Sequence, residues 1–353
     1  MLLKKNILER GRQNNYDLLR VYAMLMVILN HVSDYYLIKT NYTCEEVFLC
    51  EGLSHCAVPV FLMLTGAFLI DKTANVKPKQ FYLRAFNKLM VPTLIFMVIY
   101  WIHDFRLGKI NSVFEALEGL KTGFADIYAH WYVFMLVGIY AILPVASLVK
   151  SQVSRHSYEK FVILYFVWAM LSRHFESNAA SWTIGNSLTF IGYVFVGDAI
   201  KQRIKRKNNY AGIICVIMSS IILLIDYYVL YVRVQHGDSY YNQLFGLYAA
   251  PLVIAGSLLL FIGFSLLSVK FSTFFLAKNS FIVYLCHKLV LEWLEPVFNK
   301  LEFMSSVNLT IIILIKVVFA LLISLIIAMV FNILYEKFQK FIQYSFQLGV
   351  KDE

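Results

Sequence analysis

Long apolar blocks separated by short polar or charged segments run through the whole chain. Blocks of about 17–27 residues are long enough for a helix to cross a hydrocarbon core about 30 Å thick. The pattern predicts an all-α, polytopic membrane protein of about ten spans. They are placed at Tyr16–Leu37, Leu53–Ile70, Leu89–Phe105, His130–Val149, Phe161–Phe175, Trp182–Ile200, Tyr210–Val232, Leu244–Leu267, Asn279–Phe298 and Leu309–Tyr335. An acidic loop is expected at Thr43–Glu51, and a mixed-charge loop at Arg106–Asp126 long enough for a short amphipathic helix. One transmembrane domain, 16–336, lies between a basic N-terminal segment, 1–15, and a tail, 337–353.

Charge orients this pattern. Lys and Arg gather between alternate blocks: in the N-terminal segment, at Lys72–Lys88, at Lys150–Arg155, in KQRIKRKNN (201–209) and at Lys337–Lys340. The positive-inside rule then puts both termini in the cytoplasm. It also accounts for the net charge of +10, which on a soluble chain would suggest nucleic-acid binding. Only 15% of residues are charged against 59% hydrophobic, with a mean hydropathy of +0.65, so the composition suits lipid and not a nucleic-acid partner. The N-terminus lacks the cleavage site of a signal peptide. The five cysteines have no metal-ligand spacing; Cys44 and Cys50 fall in one loop, where they could bridge or remain thiols. No metal is expected.

Against this apolar background the first block is unusual. Arg20 and His31 lie eleven residues apart, about three turns and roughly 16 Å along a helix, on nearly one face, with Asp17 and Asp34 within about 100° of it. Ionisable groups inside a span are costly and mark functional sites by default, although Arg20 could equally snorkel and His31 pack. His31, His130, His287 and His55 are candidate proton acceptors, since imidazole titrates near neutrality. His130 and Trp131 open the fourth block, where interfacial anchoring explains them as well. His287 is followed by Lys288, for which Glu292 at i+4 is the expected partner, while His55 suits a packing or interfacial role. Arg84 and Lys88, also i,i+4, could grip phosphates or simply anchor the chain. Walker, dinucleotide-fingerprint, HExxH and GxSxG motifs are missing, which argues against an ATPase, a Rossmann enzyme, a zincin and a serine hydrolase.

The order of these features resembles the integral-membrane acyltransferase family 3, O-acyltransferases of bacterial surface glycans. Arg20 and His31 match its Arg/Lys-x10-His signature, and VPVFLMLTGAFLI matches its Pro-x-Phe…Ser-Gly-x-Leu pattern, with Thr65 in place of serine before Gly66. Arg84 to Pro92 matches its basic stretch before a proline-started span. HWYVFMLVGIYAILP, Gly192-Tyr193…Gly197 and Tyr284-Leu285-x-His287 match later spans. Asp198 and Lys288 depart from the pattern, at places where an aromatic and a proline are common. The resemblance implies transfer of an acyl group, acetyl above all, from cytoplasmic acyl-CoA to a hydroxyl of a cell-surface glycan or lipid-linked sugar at the cell membrane. His31 would be the general base, Arg20 would orient it or bind donor phosphate, and Arg84 and Lys88 would seat the nucleotide. A covalent acyl-histidine stays an open alternative. A flippase of lipid-linked sugars, a glycan polymerase and a non-catalytic sensor are the rival functions.

Overall fold

A computed structural model describes residues 13–41, 43–74, 76–115, 131–175, 179–238, 248–300 and 307–349; side chains of 169–189 and 341–349 fall outside this description. All the elements among the described residues are helices: α1 Asn14–Lys39, α2 Glu45–Ser54, α3 Ala57–Thr73, α4 Pro78–Ala85, a π turn Phe86–Met90, α5 Val91–Arg106, α6 Trp131–Gln152, α7 Arg155–Phe175, α8 Ala179–Arg203, α9 Asn209–Gln235, α10 Pro251–Leu266, α11 Phe274–Asn299 and α12 Leu309–Gly349.

Seven stretches among the described residues are long and apolar enough to cross a bilayer, against the ten or so expected: α1, Glu45–Thr73, Pro78–Arg106, α6, α9, α11 and Leu309–Lys340. The three other expected spans fall on α7, α8 and the 16-residue α10. The protein is thus an all-helical, multi-pass membrane protein, its outward surface rich in exposed Ile, Val, Leu and Phe as lipid contact requires.

The expected acidic loop Thr43–Glu51 is instead helical from Glu45, and it runs almost directly into α3. Glu45 and Glu46 occupy the first turn of α2, where negative charge complements the helix dipole. Glu51 is fully buried and accepts a hydrogen bond from Asn30 of α1 at 3.2 Å. A charged residue there signals a buried partner, not a loop. Cys44 and Cys50 are free thiols. Pro296 lies within α11, which continues to Asn299, and α12 continues beyond residue 336 to Gly349.

Helix α1 sits at the centre, packed against α2, α3, α11 and α12. Its tightest support is the crossing of α3 and α8. A Cβ on Gly66 would lie 1.7 Å from the Val194 carbonyl oxygen, and one on Gly197 would lie 2.1 Å from that of Met63. Only glycine allows two backbones this close, the small-residue logic of helix packing in lipid. Polar links pin the basic end of the bundle. Lys150 of α6 pairs with buried Asp198 of α8 at 2.7 Å and also with Asp71, and Asn15 of α1 donates to the Phe264 carbonyl at 2.8 Å.

Candidate functional site

The basic end of α1 opens onto a cavity of about 860 Å³. Arg20, Arg84 and Lys88, singled out in the sequence as phosphate-binding candidates, all line it, together with Asn87, Lys278, Tyr140 and Tyr335. Arg84 and Lys88 are exposed and Arg20 half-buried, so the cations coat a wall accessible from one end. The π turn between α4 and α5 contributes Asn87 and Lys88, and the Asn87 carbonyl accepts a hydrogen bond from the Tyr335 hydroxyl at 2.7 Å, tying this wall to α12. Such one-turn π segments recur at functional sites, and nothing in the apolar pattern announces this one. Lys278 and Glu336, paired at 3.4 Å, also line the cavity.

The inner wall is aromatic. Tyr132 and Tyr284 line the cavity with ring centroids 5.5 Å apart, beside Phe61 and Thr65. Tyr284 also contacts His287. Its carbonyl accepts from His287 Nδ1 at 2.6 Å, and the two rings lie 5.7 Å apart. A carbonyl can only accept, so Nδ1 of His287 carries a proton, and in the neutral ring Nε2 keeps its lone pair. That Nε2 is buried and has no hydrogen-bond partner among the described residues.

The His287 ring packs against the His31 ring with centroids 5.1 Å apart. His31 Nδ1 lies 3.6 Å from Asp34 Oδ2, a charge-pairing distance one turn along α1. Two imidazoles from α1 and α11, 256 positions apart in sequence, therefore meet beside the aromatic wall, with a carboxylate behind one of them. A side chain that can take a proton and a carboxylate that can orient it form a proton-transfer unit.

The remaining candidates divide. Tyr193 is fully buried and donates to the Tyr248 carbonyl at 2.7 Å, holding in place a ring that contacts both Trp131, at 5.8 Å, and His55, at 4.8 Å. His55 packs directly on Tyr248 and Tyr227, and Trp131 and Tyr193 reach it only through Tyr248. Asp17 is buried at the basic end of α1. His130, like part of the Arg106–Asp126 loop, lies outside the described residues. Glu292 attracts Lys288, its expected partner, from beyond ion-pairing distance. Glu292 instead meets His103 Nε2 and Lys109 Nζ, each at 3.1 Å, because α5 packs along this face of α11. Burial opposes the Lys109 ammonium, but Glu292 and Asp104 outweigh it and raise its pKa.

No group of three or more His, Cys, Asp or Glu among the described residues could hold a metal ion. The fold is that of a multi-pass membrane protein with a cation-lined cavity, one of whose wall residues, Tyr284, also contacts the His31–His287 pair. The acyltransferase domain of acyltransferase family 3 matches residues 13–329, and the chain belongs to that family. It is a membrane acyltransferase. No curated protein and no solved structure matches the chain.

Proposed function

We propose that the protein transfers an acyl group, acetyl in the first instance, from acyl-CoA to a hydroxyl of a cell-surface glycan or lipid-linked sugar. The observation that carries this reading is the convergence of Arg20, Arg84 and Lys88 on one cavity whose wall residue Tyr284 also borders the His31–His287 pair. CoA is a polyanion. Guanidinium groups grip phosphate bidentately and ammonium does so as a point charge, so three cations at the cavity suit its nucleotide end. The positive-inside rule assigns this end of the bundle to the cytoplasm, where CoA resides, with the protein in the cell membrane.

The acyl arm then reaches past Tyr132 and Tyr284 toward the histidines. His31 takes the proton of the acceptor hydroxyl while Asp34 faces its other nitrogen. The freed oxygen attacks the thioester carbonyl, the carbon–sulfur bond breaks, and the proton passes on to the departing CoA thiolate. General-base assistance of this kind contributes about 10²–10⁴-fold. Arg20 serves the donor end of the same helix face and does not touch His31, roughly 16 Å away along α1.

Purified protein in lipid vesicles, given radiolabelled acetyl-CoA and a membrane glycan extract, should place label on glycan and release free CoA, and His31→Ala should do both about 10²–10⁴-fold more slowly while still folding. Undiminished transfer by that variant would remove His31 from the mechanism. Sugar movement without consumption of acetyl-CoA would favour a flippase instead.

A further inference from the structure

Helix α11 continues unbroken through the turn that carries His287, yet one of its internal hydrogen-bond pairs has a guest. The Leu289 N–H donates to the Tyr100 hydroxyl at 3.0 Å, and that hydroxyl donates to the Leu285 carbonyl at 3.1 Å. Leu285 and Leu289 are i, i+4 partners within one helical turn, so a phenol from α5 contacts both backbone groups of that turn.

His287 sits midway in the bridged turn. Its own Nδ1 bonds the Tyr284 carbonyl at 2.6 Å, so two successive carbonyls, 284 and 285, each accept from a side chain. Tyr100 is only 1% exposed and belongs to a small apolar cluster with Leu289. Volume alone does not call for a hydroxyl in such a place, since phenylalanine fills the same space. A buried hydroxyl is costly to desolvate and is retained at little cost only when its bonds are made, as they are at both of these backbone groups.

We propose that Tyr100 is a positioning residue of the acyl-transfer site, its hydroxyl fixing the 285–289 turn so that His287 keeps its Nδ1 proton on Tyr284 and its Nε2 lone pair unencumbered beside His31. This rests on the reading above, in which the histidine pair is the reacting centre. Once His31 has taken the hydroxyl proton, it holds that proton next to a neighbouring imidazole that has a lone pair to offer. The Tyr100 phenol touches neither substrate nor reacting atoms and acts only through the α11 backbone.

The test is a double-mutant cycle on full-length protein in vesicles, with kcat, KM for acetyl-CoA and melting temperature measured for Tyr100→Phe, His287→Gln and the pair. Tyr100→Phe should lower kcat about tenfold with KM unchanged, the signature of misplacement and not of lost binding. Its melting temperature should drop only slightly, comparably to that of Tyr193→Phe, whose kcat stays within a few-fold of wild type. In the His287→Gln background the same change should cost no more than about twofold, because coupled residues are not additive. Additive losses, a wild-type kcat in Tyr100→Phe, or a drop in its melting temperature well beyond that of Tyr193→Phe would each overturn the proposal. So would a wild-type kcat in His287→Gln, which would leave acyl transfer by His31 standing. Wild-type protein that transfers no label would instead overturn the function and the proposal with it.

Discussion

Arg20 and His31 share one face of a single helix, but their surroundings are built differently. Around Arg20 the helices part to leave a cavity of about 860 Å³, walled by exposed cations from the α4–π-turn segment and by the end of α12. Around His31 they draw together: an imidazole, a carboxylate and a tyrosine-lined wall lie within one or two side-chain contacts, with the His287 residue 1%, the His31 side chain 16% and the Asp34 side chain 42% exposed. An open, cationic region accommodates a flexible polyanion and contributes affinity that is uniform along the reaction. A closer-packed region fixes proton-transfer groups before the substrate arrives, and only such preorganised contacts strengthen in the transition state.

Substitutions in the two regions should therefore separate kcat from KM. His31→Ala should lower kcat by about 10²–10⁴-fold, with KM for acetyl-CoA near wild type. A large rise in KM without loss of kcat would put His31 in binding instead. Asp34→Asn keeps shape and removes the charge behind His31, and a loss of about 10–100-fold in kcat is expected, as for other groups that orient a functional histidine. Activity as low as in His31→Ala would promote Asp34 from an orienting to an essential group. Arg84→Ala or Lys88→Ala should each raise KM about tenfold, with kcat preserved, because each removes a charge-assisted contact of about 1.5–3 kcal/mol. The rise should grow with salt in wild type and flatten in the variants, and a kcat effect in place of it would erase the division. The smallest effect belongs to Tyr193→Phe, which deletes one buried hydrogen bond and should lower stability by about 1 kcal/mol, with kcat within a few-fold of wild type.

The parts of this layout that were legible in the sequence are local ones. The Arg20–His31 face follows from 3.6 residues per turn, and the clustering of cations between blocks marked the segment that now lines the cavity. What was not legible is long-range. No spacing rule relates His31 to His287, or Tyr100 to the backbone of Leu285, because these contacts are made by helix packing between distant segments. Local pairing rules also mislead where a neighbouring helix offers a better partner. Glu292 has Lys288 at helical spacing and bonds His103 and Lys109 of the α5 region instead, while Glu51 reads as loop and is buried against Asn30. In an apolar chain, lone charges report that a partner exists without saying where.

The π turn at Phe86–Met90 has a consequence for how such a protein can change. It separates the direction in which the cations of α4 point from the seating of α5 in the bundle, since that segment holds one extra residue per turn. Deleting a single residue there would rotate α4 by about 100° relative to α5 without altering one lipid-facing or core position of the span. If these cations hold the donor as proposed, their grip can be re-aimed by a one-codon event while the span and the helices packed on it stay in register.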